Sequence, residues 1–301
     1  MTKRRKRKLI ISIISIILVS FFYFITNYIN PEENNIQERK TIPVTKGETL
    51  EVSFIDVGQA DSILIENEGH YMLVDAGNNE DGEKLVTYFK EQNINTFDYV
   101  VGTHPHEDHI GGLDDIINNF KINNFYMPDV ITTTLTFEEV LDALENNNVN
   151  LTIPKENNSF SLGEANIEVL HVGDESESDL NNTSIILKVT YQNISFLLTG
   201  DAESKIINEL DSSDLKTTVL KLGHHGSITS TNETILEKAS PQVAIISAGV
   251  NNQYGHPHQE VLNLLQQNNI KTYRTDQDGT IIVTTDGVNL DIKAIKTDTN
   301  G

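Results

Sequence analysis

The amino-acid sequence predicts a domain of the α+β class, in which two packed β-sheets are flanked by helices. Short apolar runs typical of strands cluster in two blocks of the chain, residues 50–75 and 165–198. Helical periodicity lies between the blocks, and helices alternate with strands over the last third of the chain. Because each element has to bury its apolar face against another layer, this distribution favours two sheets with helices outside them. We expect one domain, over residues 49–296.

The individual elements follow from the same patterns, in order along the chain. The first block and the region after it predict strands at residues 50–57, 62–66, 71–75 and 99–101, and helices at residues 83–92, 113–120 and 136–146. The second block predicts strands at residues 165–172, 184–191 and 194–198. The remainder predicts helices near residues 202–210, 231–239 and 258–267, alternating with strands at residues 217–222, 242–247, 271–274 and 279–293. A short tail, residues 297–301, is expected to fray.

The N-terminus predicts a membrane anchor. Residues 3–8 are all Lys or Arg, and the 21 residues at 9–29 carry no charge. A helix of that length extends about 30 Å, the thickness of the hydrocarbon core of a bilayer. The run ends in aromatic residues without a small-residue cleavage site, which favours an uncleaved anchor over a cleaved signal peptide. We therefore expect a single-pass protein of the cell membrane, with residues 1–8 in the cytoplasm and a polar linker, residues 30–48, leading to a domain outside.

Charge and cysteine content limit the possible functions. The chain has 22 basic and 44 acidic residues and a net charge of −22, and the part after the first 30 residues carries −28. Such an acidic domain repels polyanions at long range, which argues against non-specific binding of DNA through its phosphates. A metal-filled cleft can still be positive, because a bound divalent ion dominates its surroundings. Cysteine is absent, so disulfides and thiolate metal ligands are excluded.

One short segment carries a dense set of side chains that bind metals. Residues 104–109 read His-Pro-His-Glu-Asp-His, which places three of the nine histidines within six positions. Imidazole nitrogen and carboxylate oxygen are the usual ligands of zinc and similar divalent ions. His104, His106, Asp108 and His109 all fall on one loop between a predicted strand and a predicted helix. A polar surface loop is the alternative, but this density of ligands favours a metal site.

Further loops at the ends of predicted strands repeat this arrangement. A Gly-Asp pair ends one strand at Asp201, whose carboxylate could bridge two cations, although a turn-forming aspartate is the alternative. His224 and His225 follow another strand, and His256 lies in a Tyr-Gly-His-Pro-His segment. Seven of the nine histidines therefore lie in three such loops. Because loops on a rigid scaffold carry function, the joint pattern favours a metal site.

These residues resemble the metallo-β-lactamase superfamily, whose most specific motif is His-x-His-x-Asp-His. The resemblance implies an αββα sandwich of two mixed sheets flanked by helices, here preceded by one transmembrane helix. It also implies two divalent metal ions, Zn²⁺ or Mn²⁺, with His104 and His106 binding one ion. Asp108 and His109 would bind the other, and Asp201 would bridge the two.

The resemblance assigns supporting and catalytic roles as well. Asp75, in a Leu-Val-Asp-Ala-Gly segment, is similar to the aspartate that supports the metal loop, although the residues alone fit a turn-forming aspartate equally well. His225 is favoured as the histidine of the second ion and His224 as its structural support, with His224 as the ligand being the close alternative. Asp108 is expected to orient the attacking water, and His256 to contact the substrate or to donate a proton, a simple turn histidine being the alternative.

A longer series of motifs is similar to the extracytoplasmic metallo-β-lactamase-like domain of ComEC competence proteins, over about residues 50–290. The series comprises Phe-Ile-Asp-Val-Gly-Gln-Ala-Asp-Ser at residues 54–62, Leu-Leu-Thr-Gly-Asp at 197–201, His-His-Gly-Ser at 224–227, Tyr-Gly-His-Pro-His at 254–258 and Arg-Thr-Asp-Gln-Asp-Gly at 274–279. ComEC channels are polytopic, whereas this chain has one predicted anchor. The resemblance therefore implies a stand-alone member of that group and not the DNA-uptake channel.

One position departs from the superfamily pattern. The third ligand of the first ion is usually a histidine before a second-block strand, but between His109 and Asp201 the chain has only His171. The corresponding loop reads Leu-Asn-Asn-Thr-Ser, as in ComEC-like relatives, so Asn181 is expected to offer a carbonyl oxygen. An oxygen ligand is harder than imidazole, which would either weaken binding of the first ion or shift its preference from zinc toward manganese. His171 is better explained as a core or surface histidine.

The residues and the resemblance together predict a membrane-anchored, extracytoplasmic, metal-dependent hydrolase, with a phosphodiester as the best-fitting substrate. DNA is implied by the ComEC resemblance, and a cell-wall phosphodiester by surface esterases that share this type of domain. A β-lactamase is disfavoured, since many β-lactamases of this superfamily bind a metal through a cysteine and this chain has none. The alternative from another class is a catalytically weak metal-binding module that recognises nucleic acid or wall polymer. The oligomeric state is left open.

Overall fold

Two β-sheets lie face to face, and helices cover the outer side of each sheet. The computed structural model describes residues 48–296. Buried apolar side chains form three layers, one between the two sheets and one between each sheet and its helices. This arrangement confirms the αββα sandwich that the sequence predicted.

The strands are short, as the sequence indicated. In chain order they are β1 (Leu50–Phe54), β2 (Ser62–Asn67), β3 (His70–Ala76), β4 (Thr96–Phe97), β5 (Tyr99–Val101), β6 (Lys121–Ile122), β7 (Phe125–Tyr126), β8 (Leu151–Thr152), β9 (Ser159–Leu162), β10 (Ala165–His171), β11 (Ile186–Tyr191), β12 (Ile194–Leu198), β13 (Val219–Lys221), β14 (Val243–Ile246), β15 (Lys271–Arg274), β16 (Thr280–Thr285) and β17 (Leu290–Ile295).

The helices lie mainly between strands. They are α1 (Gly82–Glu91), α2 (Glu107–Ile110), α3 (Leu113–Asn119), α4 (Leu135–Asn146), α5 (Ser204–Glu209), α6 (Ser212–Leu215), α7 (Glu233–Ala239), α8 (Gln259–Gln267) and α9 (Thr275–Asp278). The side chain of Thr134 accepts a hydrogen bond from the Phe137 N–H at the start of α4, and Asn232 caps α7 in the same way. Such caps satisfy N–H groups that have no partner within the helix.

Both sheets are mixed, as expected. The first has the strand order β17-β16-β1-β2-β3-β5-β7-β8, and the second has the order β15-β14-β13-β12-β11-β10-β9. In the first sheet the strands from β3 to β8 are parallel and the others antiparallel. In the second, β12 to β15 are parallel. The carboxyl ends of β12, β13 and β14 therefore meet at one edge, where loops after neighbouring strands come together.

Side chains alternate between two buried layers along the central strands. On β3, Met72 and Val74 face the other sheet, while Leu73 between them packs under the helices. On β12, Phe196 faces the other sheet and Leu197 faces the helices. Successive side chains of a strand point to opposite faces, so strands buried on both sides are continuously apolar. This explains the uninterrupted apolar runs in the sequence.

The sequence predicted a strand over residues 279–293, and this prediction was wrong in one respect. The segment forms a hairpin of two strands, β16 and β17. The Asp286 side chain accepts hydrogen bonds from the Val288 and Asn289 N–H groups, at 2.9 and 2.7 Å, and Gly287 has a φ of +85°. A glycine adopts this left-handed conformation without the steric penalty of a side chain. The hairpin returns to the first sheet, where β16 pairs with β1.

The short edge and connecting strands β4, β6, β7, β8 and β9 were not predicted. Four of them have only two residues, too few for a periodic pattern to be recognised. The predicted strand at residues 184–191 begins later, at Ile186, because the preceding residues Leu180–Thr183 form a 3₁₀ turn.

No helix within residues 48–296 is both long and apolar enough to cross a membrane. The predicted cytoplasmic segment, anchor and tail lie outside the described residues, as does nearly all of the predicted linker.

Candidate metal centre

Loops from both sheets converge on one cleft of about 910 Å³. The loop after β5 and helix α2 contribute from the first sheet, and the loops after β12, β13 and β14 contribute from the second. The lining residues are Val57, Gly58, Gln59, Asn78, Asn79, Glu80, His106, Glu107, Asp108, Asn181, Asp201, His224, His225, Asn252, Gln253, Tyr254 and His256. The structure therefore brings the predicted site residues together, either in the lining or directly beneath it.

Gly111 allows the metal loop to lie close to its neighbours. A β-carbon on this residue would come within 2.3 Å of the backbone of Asn78 and Asn79. Its N–H donates to the carbonyl of Gly77 at 2.9 Å, just after β3. A side chain at position 111 would therefore push the loop away from the first sheet.

His109 lies at the centre of the cluster, between two aspartates. Its Nδ1 is 2.8 Å from Oδ2 of Asp75, and its Nε2 is 3.4 Å from Oδ2 of Asp201. Asp75 also accepts hydrogen bonds from the N–H and the hydroxyl of Thr103, both at 2.8 Å. An aspartate bonded to Nδ1 fixes the ring so that Nε2 faces the cleft. Asp75 thus occupies a position suited to the predicted support of the metal loop.

The first group of ligands comprises His104, His109 and Asp201, and His106 lies beside His104. His104 is fully buried, and its Nε2 lies 3.0 Å from Nδ1 of His106. Ligand atoms of His104, His109 and Asp201 all lie within 4.8 Å of one another. These atoms are close enough to share one ion.

The second group of ligands combines Asp108, His109 and His225, whose ligand atoms also lie within 4.8 Å of one another. Nε2 of His225 is 3.2 Å from Oδ2 of Asp108 and 3.7 Å from Oδ2 of Asp201. Nδ1 of His225 donates to the Ser247 carbonyl at 3.1 Å, which leaves Nε2 free to act as a ligand. Asp201 is therefore close to both groups, as a bridging carboxylate would be.

The neighbouring His224 has a different environment from His225. Its backbone N–H donates to Oδ1 of Asp201 at 3.0 Å, and its Nδ1 is 3.2 Å from the Thr229 hydroxyl. Its Nε2 is 3.9 Å from Asp201. Both histidines have left-handed backbones, with φ of +51° and +53°, which turn their side chains apart. The geometry favours His225 as the ligand and His224 as the residue that holds Asp201.

Asn181 lies on the 3₁₀ turn Leu180–Thr183 and lines the cleft. Its side-chain oxygen is buried and has no hydrogen-bond partner within the part of the chain that the structure describes. Buried polar atoms are almost always paired, so this oxygen is suited to an additional ligand. His171 is not in the lining of the cleft, and its nitrogens contact Glu156 at 3.0 Å and the Asn182 carbonyl at 3.3 Å.

His256 lies at the rim. Its ring centroid is 5.3 Å from that of His224, and Tyr254 stacks on it at 5.8 Å. Burial, together with the nearby His224 and His225 rings, lowers the pKa of His256 to about 4. The ring is therefore neutral at neutral pH, a state that suits contact with a substrate better than transfer of a proton.

The charges of the cluster favour ionised Asp108 and Asp201, whereas burial raises the pKa of Asp75. Burial opposes ionisation of Asp201, but His109 and His225 hold its pKa well below the usual range. Burial also opposes the charge of His109, yet Asp201 and Asp75 hold the pKa of that imidazole well above 6.5. For His104 burial dominates, and its pKa is well below the ordinary value. Anionic oxygens beside imidazole nitrogens are the donor set of a divalent metal site.

The donors present fit a metal pair. Nε2 of His109 is buried without a hydrogen-bond partner among the described residues, as is the oxygen of Asn181. Both atoms belong to the predicted ligand set, and all its donors are nitrogen or oxygen. The sequence did not assign roles to Thr103, to the rim residue Tyr254, or to a buried pair formed by Asp61 and Lys221. Asp61 is part of a motif quoted above, but its partner is 160 residues away.

A model of the metallo-β-lactamase superfamily matches residues 55–250, and the chain belongs to this superfamily. It is 33% identical over 251 residues to ComE operon protein 3 of Bacillus subtilis (strain 168), covering 77% of this chain and 32% of that protein. It is 27% identical over 236 residues to Competence protein ComA of Neisseria gonorrhoeae, covering 76% and 31%. These matches confirm the predicted resemblance to competence proteins, and the chain spans about a third of the length of these relatives.

A solved structure shares the fold. The metallo-β-lactamase fold protein YhfI from Bacillus subtilis superimposes with a TM-score of 0.52, at 14% sequence identity, covering 75% of this chain and 95% of that one. The chain therefore has the fold of the metallo-β-lactamase superfamily, with a cluster of His and Asp residues suited to divalent metals.

Proposed function

We propose that the protein is a membrane-anchored, extracytoplasmic, metal-dependent phosphodiesterase. The observation that carries this proposal is the arrangement of two adjacent ligand groups in an open cleft, with Asp201 in the first group and 3.7 Å from His225 of the second. Two adjacent ligand groups suit the paired metal sites that hydrolyse phosphate esters.

The proposed metals are two divalent ions, Zn²⁺ or Mn²⁺. His104, His106 and Asn181 would hold the first, Asp108, His109 and His225 the second, and Asp201 both. When bound, such a pair lowers the pKa of water and polarises a phosphoryl oxygen. The oxygen of Asn181 in place of a third imidazole favours manganese more than an all-histidine set would.

The remaining residues of the cleft bind and orient the reactants. Asp108 is partly exposed, so its carboxylate can orient an attacking water while it serves as a ligand. His256 is neutral at neutral pH and lies at the rim, where it can form a hydrogen bond to the substrate. Tyr254, 58% exposed, extends the same wall and offers a flat apolar face.

The substrate is proposed to be a phosphodiester in DNA, a nucleotide or the cell wall. The name of one relative, Competence protein ComA, refers to competence and supports DNA. However, the described residues that line the cleft include Glu80 and Glu107 and no Lys or Arg. Duplex DNA is bound largely through basic contacts to its phosphates. The cleft therefore favours a substrate with few phosphates over bulk duplex DNA.

The test uses the full chain in detergent solution. Metal content is measured together with hydrolysis of bis(p-nitrophenyl) phosphate, single-stranded DNA and p-nitrophenyl phosphorylcholine. We expect His106→Ala and Asp108→Ala to lower the rate by more than the roughly 10–100-fold caused by loss of an outer metal partner. The matched controls are His70→Ala and Asp291→Ala, which change exposed residues in surface ion pairs and should leave the rate unchanged.

Two outcomes would change the proposal. Hydrolysis that is unaffected by both His106→Ala and Asp108→Ala rejects the metal-hydrolase mechanism. Stoichiometric metal without hydrolysis of any of the three substrates favours the alternative, a catalytically weak module that binds metal and recognises nucleic acid or wall polymer.

A further inference from the structure

A buried ion pair lies beneath the second ligand group. Lys221, the last residue of β13, donates from Nζ to Oδ2 of Asp61, which lies between β1 and β2. Both side chains are 1% exposed. The two residues belong to different sheets, so the pair crosses the space between the sheets at the end that carries the cleft.

The register of the second sheet explains why Lys221 points inward. Lys221 pairs with Leu198 of β12 and with Ile245 of β14, and both of these neighbours face the layer between the sheets. Paired residues of adjacent strands project from the same face. A lysine in this apolar layer needs a carboxylate partner, because an isolated buried charge is strongly unfavourable.

The backbone of Asp61 holds the metal loop. Its N–H donates to the carbonyl of Asp108 at 3.0 Å, and its carbonyl accepts from the N–H of Gly77 at 2.8 Å. Asp61 thereby connects the loop that carries Asp108 to the end of β3, which carries Asp75. Movement of Asp61 would therefore shift both Asp108, a proposed ligand, and Asp75, which is bonded to His109.

The carboxylate of Asp61 also faces the two histidines of the second group. Its Oδ2 is 3.9 Å from Nδ1 of His109, and its Oδ1 is 3.9 Å from Nδ1 of His225. Oδ1 is buried and has no hydrogen-bond partner among the residues described. Both contacts are on the side of each ring opposite to the cleft, where the charge of Asp61 adds to the hydrogen bonds that Nδ1 forms with Asp75 and with the Ser247 carbonyl and that direct Nε2 toward the cleft.

We infer that Asp61 and Lys221 are positioning residues for the second metal. Asp61 keeps His109 and His225 oriented from behind and holds the backbone of Asp108. Lys221 fixes the Asp61 carboxylate in that place and balances its charge, so that the carboxylate does not turn toward the ion. The inference rests on the two-ion part of the proposed function and is independent of the substrate.

The test measures Zn²⁺ binding to the metal-free full chain by calorimetry, with thermal unfolding as a second readout. Lys221→Met removes the cation, and the double variant Asp61→Asn with Lys221→Met removes both charges at similar volume. Replacing both members of a buried pair is often neutral for stability, whereas removing one member is destabilising. We expect the double variant to regain the thermal stability that the single variant loses. Its second Zn²⁺ should nevertheless bind about 10–100-fold more weakly than in the wild type, with the first Zn²⁺ unchanged.

Asp61→Asn alone gives a second measurement, since it keeps the shape of the side chain and the backbone contacts. Asp61→Asn should lower the affinity for the second Zn²⁺ by a similar factor. Lys293→Met, which removes a cation from an exposed pair on β17, is the matched control and should bind as the wild type does.

The possible failures are distinguishable. If the double variant or Asp61→Asn folds and binds both Zn²⁺ ions with wild-type affinity, the pair has only a structural role and the inference is overturned. If the wild type itself takes up a single Zn²⁺, the two-ion proposal fails and the inference fails with it.

Discussion

Nε2 of His225 lies 3.2 Å from Oδ2 of Asp108, although the two residues are 117 positions apart in the chain. Asp108 lies on the short helix α2, which follows β5 of the first sheet, and His225 lies on a turn that follows β13 of the second. The second ligand group therefore exists only where the two sheets are correctly packed. Metal binding at this group should be sensitive to changes in either half of the sandwich.

The difference between the two adjacent histidines gives a first prediction. His225→Ala should lose one metal ion per chain, because His225 alone of the pair contacts Asp108 and is oriented by the Ser247 carbonyl. His224→Ala should retain both ions, because the backbone N–H that donates to Asp201 is still present. Metal content after dialysis against a weak chelator measures the difference. Loss of an ion in His224→Ala combined with retention in His225→Ala would reverse the assignment.

A second prediction concerns the third ligand of the first ion. Asn181→His supplies the imidazole that the superfamily usually has at this point, and it should raise the preference for Zn²⁺ over Mn²⁺ by about tenfold. Asn181→Ala should lower the affinity of the first site for Zn²⁺ and for Mn²⁺ alike. Competition titrations with a chromogenic chelator measure the affinities.

The neighbouring Asn182 offers a matched control for that change. Its side chain exchanges hydrogen bonds with Glu203, at 3.0 and 3.1 Å, and is not part of the cleft lining. Asn182→Ala should lower thermal stability while leaving the ratio of the two metal affinities unchanged. If Asn181→His and the wild type had the same ratio of Zn²⁺ to Mn²⁺ affinity, Asn181 would not be a ligand of the first ion.

The dependence of metal binding on pH provides a third prediction. In the metal-free protein, burial is outweighed by Asp201 and other carboxylates, which raise the pKa of His109 and that of His225 above 6.5. Such raised values stabilise the fold fully below pH 6.5, and this stabilisation is lost as pH rises through the folded-state values. Metal displaces the protons, so the Zn²⁺ affinity should rise over the same range while the melting temperature of the metal-free protein falls.

Calorimetry in two buffers of different ionisation enthalpy counts the protons released at each pH. Asp108 and Asp201 do not contribute near neutral pH, since their depressed pKa values keep them ionised down to strongly acid conditions. A Zn²⁺ affinity that is constant between about pH 6 and 9 would contradict the proposed histidine ligands.

The parts of the site that are local in sequence could be predicted, whereas those that depend on sheet packing could not. His104, His106, Asp108 and His109 lie within six positions, and Asp201 and His225 follow apolar strands, so a pattern of strand-end ligands reveals them. The pairing of Asp61 with Lys221 cannot be deduced in this way. It depends on which strand of one sheet lies above which loop of the other, and no local periodicity encodes that.

The same limit explains the differences in the fold. The long central strands and α1, α4 and α8 were predicted to within a few residues, because their periodicity extends over several turns or pleats. The hairpin at residues 280–295 was missed, although its Asp-Gly turn is a local signal that could have divided the strand. The two-residue strands form only through pairing with neighbours and have no signal of their own.

The last prediction concerns the orientation in the membrane. Six basic residues precede the apolar segment at 9–29, and basic flanks remain in the cytoplasm, so the domain should lie outside the cell. Protease added to intact cells or protoplasts should therefore digest the domain while a cytoplasmic marker survives. Replacing the Lys and Arg residues at 3–8 with Gln, as a matched control, should reduce the fraction that is digested, because it removes the charge asymmetry. A domain that is digested only after lysis would place the cleft in the cytoplasm and exclude a cell-wall substrate.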